Sequence, residues 1–558
     1  MHALRLSPLF LAAFATVLVT QACGSKDDDS VFPSKDAGLD SGPPATDATL
    51  IIDAQVGDGG AGIGGDPPTC GDATRFRSYV GCDYWPTVTV NAVWSIFDWA
   101  VVVANNQATP ASVTVTGPGG VSKTATIPAN GLEKIYLPWV PALKGPDGNE
   151  CADAPLVANS VVARKSAYHL VSSIPVVVYQ FNALEYQGAG GPPGKDWSSC
   201  PGNKPCNGKS PIGCFSYGND ASLLLPSTAM TGAYRLTGSE GWDDGTGGVA
   251  GPVATITATE AATTVRVKLA AKATVKAGNG VTAGNPGDEL TLKLDAGDVV
   301  ELVGGTGPNV DLAGSLILAD KPVQVLAGIP CINVPSASPA CDNLEESVFP
   351  AETLGRHYFF APVTGPRANK PGTRLRLIGN KDGTTLTYKP SKPTGCPTTL
   401  NAGQAVTCTG LLTAPFEVTG DAEFAAVTLL PGATISDPGT TGARSLGDPS
   451  LSNLVAVEQF RAKYTFLAPD DYPVSYADIL APLGTKLTVD GAAVTATFET
   501  IASGYGIARL PLGPGKNVSH TLEADASVGL QVVGYGAFTS YQYPGGLDLK
   551  QISAAPDK

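Results

Sequence analysis

The chain has 558 residues, a formal net charge of −14, 66 Gly, 46 Pro and only 15% charged residues, and a single core stops growing at roughly 250 to 300 residues, so several domains are expected. The acidic balance and the lack of a basic stripe exclude a nucleic-acid binder, because phosphate binding is driven by Lys and Arg displacing counterions. Thr, Val and Ala punctuated by Gly and Pro favour many short strands over helices.

Residues 1–22 read as a signal peptide, with Arg5, an apolar run from Leu9 to Val19 and a small Ala22 before Cys23. The run is shorter than the ~20 residues a membrane span needs. Ala22-Cys23-Gly24 resembles a bacterial lipobox, with Thr20 where Leu is usual. Cys23 is therefore expected to be lipidated and to become the mature N-terminus; the alternative is ordinary signal-peptidase cleavage. Gly24, rather than Asp, after the lipidated Cys favours the outer membrane. Residues 23–69 are dominated by Asp, Gly, Ala and Pro. Such a segment buries too little apolar surface to offset its ordering entropy, which predicts a disordered acidic tether.

Four β units are expected beyond it, at 70–215 with a Cys-rich loop, 216–344, 345–450 and 451–558. The first carries β-branched runs at 87–90, 100–104, 112–116 and 124–127, and closes on a strand that Pro175 enters at its first position, where a missing N–H does least harm. The later units repeat a pattern. Pro226 to Tyr234, Pro350 to Tyr358 and Val457 to Tyr464 each open with an apolar residue, a short spacer and a Tyr-led strand. A turn at Leu294-Asp295-Ala296-Gly297 or Leu400-Asn401-Ala402-Gly403 precedes the closing strands. Between the second and third units the sequence predicts strands at 315–319 and 323–328, a turn at 320–322, a cysteine-bounded loop and a further strand at 348–350. About seven strands in ~90 to 130 residues is the content of an immunoglobulin-like sandwich. The predicted fold is thus all-β, a tandem array of immunoglobulin-like β-sandwich units stapled by disulfides. A β-propeller-like arrangement, with blades of ~40 to 45 residues, is the alternative.

Apart from Cys23, ten cysteines remain, a parity that suggests five bridges in an exported protein. Cys70 with Cys82, Cys331 with Cys341 and Cys396 with Cys408 are the local pairings; Cys151, Cys200, Cys206 and Cys214 allow three connectivities. Zinc is disfavoured, since CxxC spacing is lacking and the chain has only four His. Asp342, Glu345 and Glu346 are candidate calcium ligands, set against a solvated loop fixed by the Cys331 to Cys341 bridge. Asp243-Asp244 and Asp470-Asp471 with Asp478 are read the same way. There is no GxSxG elbow, and His169, His357 and His520 fall in strand-like runs, so a Ser-His-Asp set lacks support. Tyr84, Trp85, Trp94, Phe97, Trp99 and Trp139 crowd the first unit, either as a ligand-binding face or as core.

The series Pro175-Val-Val-Val-Tyr-Gln-Phe-Asn182, Asn219-Asp220-Ala-Ser-Leu-Leu-Leu-Pro226 with Gly232 and Tyr234, Asp311-Leu-Ala-Gly-Ser-Leu-Ile317, Asp320-Lys-Pro-Val323, and Cys341-Asp-Asn-Leu-Glu-Glu346 with Pro350, Gly355 and Tyr358 resembles the IgGFc-binding protein N-terminal domain family. The marked positions span about residues 175–360, and a looser resemblance runs from about 90 to 545. Asn343 stands where the family pattern has His. The resemblance implies an exported surface protein; Fc binding is not carried over, because a shared scaffold does not transfer a ligand.

The expected function is that of a lipid-anchored bacterial cell-surface binding or adhesion protein, non-catalytic and without a cofactor other than calcium. Its partner is expected to be an extracellular protein or glycan, with membrane contact only through the lipid. The alternatives are a carbohydrate-active hydrolase using an acidic cluster and a structural envelope protein.

Overall fold

A computed structural model describes residues 65–93, 95–145, 157–185, 216, 218–245, 247–336, 338, 340–440, 445–469, 472–514 and 519–556. The signal peptide, Cys23, most of the tether and Cys151, Cys200, Cys206 and Cys214 lie outside the described residues, as do Trp94, Asp470 and Asp471.

Glu289–Leu294, sequence ELTLKL, buries each Leu and exposes each polar neighbour, the alternation of a strand with one wet face. Trp99–Ala104, WAVVVA, is buried at every position because both of its faces are covered. Strands of these two kinds form all-β sandwich units with one recurring topology. In the second unit, one sheet runs Glu289–Leu294, Thr263–Lys268, Leu316–Ala319, Ala233–Arg235; the other runs Asp342–Ser347, Val323–Ile332, Val253–Ala258, Val299–Val303. The third unit repeats both orders, with Thr399–Leu400, Thr384–Lys389, Phe416–Gly420, His357–Phe360 facing Leu451–Asn453, Phe424–Leu429, Arg374–Gly379, Ala405–Thr407. All of these pairings are antiparallel.

In the first and fourth units the sixth and seventh strands fuse into one long strand that passes from one sheet to the other. His169–Asn182 pairs with Ala111–Gly117 through its first residues and with Trp99–Ala104 through its last. Ser519–Gly536 likewise serves Arg461–Leu467 and then Val474–Pro482. Pro175 therefore does not open a strand; it lies inside a 14-residue one. Its missing N–H is tolerated there because it falls between the two ladders, where it has no register partner.

A tyrosine marks the crossover in every unit. The Tyr84 hydroxyl accepts from the Gly81 N–H and donates to the carbonyl of Val176. Tyr234 does the same with Thr231 and Val323, Tyr358 with Gly355 and Phe424, and Tyr464 with Arg461 and Val528. Each latch ties the start of the opening strand to the first residues of the second sheet.

The last strand of each unit pairs with the strand before it and so belongs to the preceding sandwich. Asp220–Leu223 pairs with Tyr179 to Asn182, which carries the first unit beyond 215, and Asp342–Ser347 and Leu451–Asn453 likewise end units two and three. Val161–Ala163, from within the 70–215 stretch, is added to the edge of the second unit's sheet. Short 3-10 turns, Ser227–Ala229, Ala351–Thr353 and Val457–Gln459, then lead into the next Tyr-led strand.

The four closing strands, Asp220–Leu223, Asp342–Ser347, Leu451–Asn453 and Thr539–Pro544, meet one another in a cycle. They are buried throughout, and the largest apolar cluster surrounds them, with Tyr179, Phe181, Leu223, Leu344, Val427, Leu451, Tyr541 and Tyr543. At about 1.5 to 3 kcal/mol per buried large side chain, this shared core makes the described residues one compact unit. The cycle is closed by the segments that flank the first and last units: Ser78 bridges to Asp548, the Tyr79 N–H donates to Leu547, and the Leu549 N–H donates to Arg77. The sheets are packed pairs rather than lone four-stranded blades, while the cyclic closure is the propeller-like feature of the fold.

Candidate functional site

The sequence DNLEES at Asp342–Ser347 contains a single strongly apolar residue, yet every position is buried. It is a strand because Leu326 to Ile332 pairs along one edge, while donors from other units reach Glu345 and Glu346 from the opposite side. The expected solvated loop is corrected accordingly. Glu345, 0% exposed, accepts at Oε1 from Gln180 Nε2 (2.7 Å) and Ser222 Oγ (2.8 Å), and at Oε2 from Thr89 Oγ1 and Asn182 Nδ2. Glu346 accepts from its neighbour's N–H, that of Ser347, at 2.9 Å and from Ser452 Oγ in the third unit at 3.3 Å. Hydroxyl, amide and N–H donors thus fill the positions a calcium ion would need on these two side chains.

Asp220, on the first unit's closing strand, accepts from the Ala221, Glu345 and Leu451 N–H groups and from Ser450 Oγ at 2.8 to 3.2 Å, which binds three units through one carboxyl. Glu301 accepts from the Val90 N–H at 2.9 Å and from Thr255 Oγ1. Asp342 and Asp448 complete a set of six carboxyls, none more than 2% exposed. Burial in a medium that solvates anions poorly raises all six, with Glu301 pushed up to about 8. The hub is therefore an array of buried carboxyls, most of them held by hydrogen bonds that act as glue between units.

Three of the expected bridges are present, Cys70–Cys82, Cys331–Cys341 and Cys396–Cys408. Cys331–Cys341 staples the hairpin whose second arm is Asp342–Ser347. The first unit's aromatics are core: Tyr84, Phe97 and Trp99 are fully buried and Trp85 nearly so, while Trp139 is half-buried and donates to the Phe97 carbonyl. His169, His357 and His520 each face a carboxylate, Asp83, Glu417 and Asp490. Asp478 is buried against Thr364 and Arg509, and Asp243 is an exposed residue at the end of the short strand Trp242–Asp243, accepting from the Gly245 N–H. Among the described residues, no three His, Cys, Asp or Glu side chains converge on a metal-ready point. Asp220, Glu301 and Asp448 escaped the sequence reading because each stands alone in its own stretch; the one available signal was the Asn219-Asp220 pair within the resemblance.

Fold and hub together define a cyclic β-sandwich protein whose polar chemistry is turned inward. Residues 220–534 match the IgGFc binding protein family, more than half of the chain, and the protein belongs to that family. No curated protein matches the chain. Among solved structures, an anti-sigma factor domain-containing protein from Clostridium clariflavum is 12% identical, covering 53% of this chain and 82% of that one, with a TM-score of 0.11. A tetra-tandem repeat from the extending region of a large adhesion protein is 13% identical, covering 84% and 99%, with a TM-score of 0.08. No helix among the described residues is long and apolar enough to cross a membrane.

Proposed function

We propose that this chain is a non-catalytic binding protein exported to the bacterial cell surface, anchored through lipidated Cys23, and that it recognises an extracellular protein or glycan. Membership of the IgGFc binding protein family supports a binding role, and the disulfides support an oxidising, exported setting. The observation that carries binding over hydrolysis is the position of the acids. The hub carboxyls are enclosed between units and committed to partners such as Gln180, Ser222 and Ser450, whereas a glycosidase needs two carboxyls facing an open sugar cleft. With the aromatics also in the core, recognition falls to the loops and outer sheet faces, where a few side chains supply most of the binding energy.

The test is a panel of mucins, glycans and immunoglobulins presented to the purified full chain. Saturable binding to at least one class, without turnover of it, is expected; cleavage of a panel member, or no binding to any, overturns the reading. Cys23→Ser is expected to release the protein from membranes, and unchanged detergent-phase partitioning would refute the anchor.

A further inference from the structure

Asp342 opens the second unit's closing strand, and Asp448 stands just before the third unit's, Leu451–Asn453. Both are almost fully buried. Unlike Asp220, Glu345 and Glu346, they have oxygens that meet no donor: Oδ2 of Asp342 and Oδ1 of Asp448. The two closing strands lie side by side with Glu346 meeting Ser452 and Ser347 meeting Asn453, each 106 positions on, and the same offset sets Asp342 beside Asp448. A third orphan follows the strand that pairs with Asp342. Asn333 is 7% exposed and its Oδ1 is likewise without a donor; it directly follows Ile332, the register partner of Asp342. Its amide nitrogen donates to the Ser338 carbonyl. The Ser338 hydroxyl and Asp448 Oδ1 both border the Cβ direction of Gly432, at 3.1 and 3.5 Å. All three orphans are therefore acceptor oxygens. A missing donor of positive charge satisfies such a set, whereas buried polar groups left unpaired cost stability.

We propose that a divalent cation of the calcium type binds between Asp342 and Asp448, with the Asn333 carboxamide oxygen as a further ligand, and pins the second unit to the third. Carboxylates and amide oxygens are the ligands calcium prefers, and one divalent ion neutralises the pair without a base. Asp342 is thus a ligand as the sequence suggested, but its partner is Asp448, 106 positions on, rather than Glu345 or Glu346. The proposal does not depend on what the protein recognises at its surface.

The test is equilibrium dialysis of the full chain against calcium chloride after EDTA treatment, paired with thermal unfolding with and without calcium. Stoichiometric uptake and a rise in Tm on adding calcium are expected. Asp342→Asn/Asp448→Asn is expected to fold, to keep its Tm in EDTA or raise it, and to lose both calcium uptake and the calcium-dependent rise. A wild-type chain that takes up no calcium at millimolar concentration overturns the proposal, and the pair then shares a proton. A double variant that still binds calcium places the ion elsewhere and overturns it equally.

Discussion

The Tyr234 hydroxyl donates to the Val323 carbonyl at 2.6 Å across 89 positions of sequence, at the point where the chain leaves one sheet of its sandwich for the other. The same oxygen accepts the Thr231 N–H, so one phenol satisfies two backbone groups that strand pairing leaves over. Four copies of this latch, at Tyr84, Tyr234, Tyr358 and Tyr464, show that the units share one solution to the same topological problem.

Tyr234→Phe keeps the ring packing and removes only the hydroxyl, leaving the Val323 carbonyl without that donor in the core. A loss of about 1 to 3 kcal/mol is expected, read from urea unfolding at an unchanged m-value. Tyr358→Phe should cost a similar amount, since its partners are equivalent. An undiminished midpoint in both variants would show that water replaces the hydroxyl and that the latch adds nothing.

Glu345 gathers donors from four places in the first unit, Thr89, Gln180, Asn182 and Ser222. Glu345→Ala orphans several buried donors together and opens a cavity, so a loss on the order of 3 kcal/mol or more is expected. Hydrogen exchange should show the damage at Asp220–Leu223 and Asp342–Ser347 before the outer sheets. Uniform loosening of all four units would refute a local role at the first-to-second unit seam.

Burial pushes Glu301 up to about 8, and the nearby Glu345 carboxyl adds to the effect. The folded state therefore keeps a proton that the unfolded chain releases near the ordinary glutamate value. Stability is fully present below that lower value and falls as pH rises towards 8, by about 1.4 kcal/mol per pH unit from this group. Glu301→Gln, which mimics the neutral acid, should flatten the decline between pH 5 and 8. Superimposable stability profiles of variant and wild type would show that Glu301 titrates normally.

What the sequence disclosed, and what it hid, follows from how far each signal reaches. The Tyr-led strands were legible because Thr231 and Tyr234, or Gly355 and Tyr358, are three positions apart, and the turns at Gly297 and Gly403 were legible because both glycines adopt positive φ, 81° and 75°. The local bridges, Cys331–Cys341 among them, were legible from spacing alone. The hub was not. Glu345 looks solvated in sequence because its donors lie 123 to 256 positions away, and no local pattern encodes such distant partners. The same reach explains the unit ends: Asp220–Leu223 and Leu451–Asn453 are polar at one end and short, and only their pairing with Tyr179 to Asn182 and Val427 to Leu429 shows which sandwich they complete.

The seam between the fourth unit and the first has no covalent connection, so its strength rests on the chain ends. Arg461, 1% exposed, pairs with Asp548 near the C-terminus and with Asp66 at 2.8 Å before the first helix, Cys70–Phe76. Desolvation alone would push Asp66 up, and the guanidinium opposes that shift. Arg461→Met leaves the buried Asp66 carboxyl without its paired guanidinium and Asp548 with Lys550 alone, for which a cost of about 3 to 5 kcal/mol is expected. Adding Asp66→Asn should return part of that loss, because it removes the uncompensated charge while keeping the side chain's size. Limited proteolysis gives the second reading: cleavage of the single variant should begin in the segment before Cys70 and after Pro544, where the closing contacts to Arg77 and Tyr79 are made. If the single variant unfolds at the wild-type midpoint, the seam is held by the apolar packing of Tyr79 and Leu547, and the ion pairs are incidental to closure.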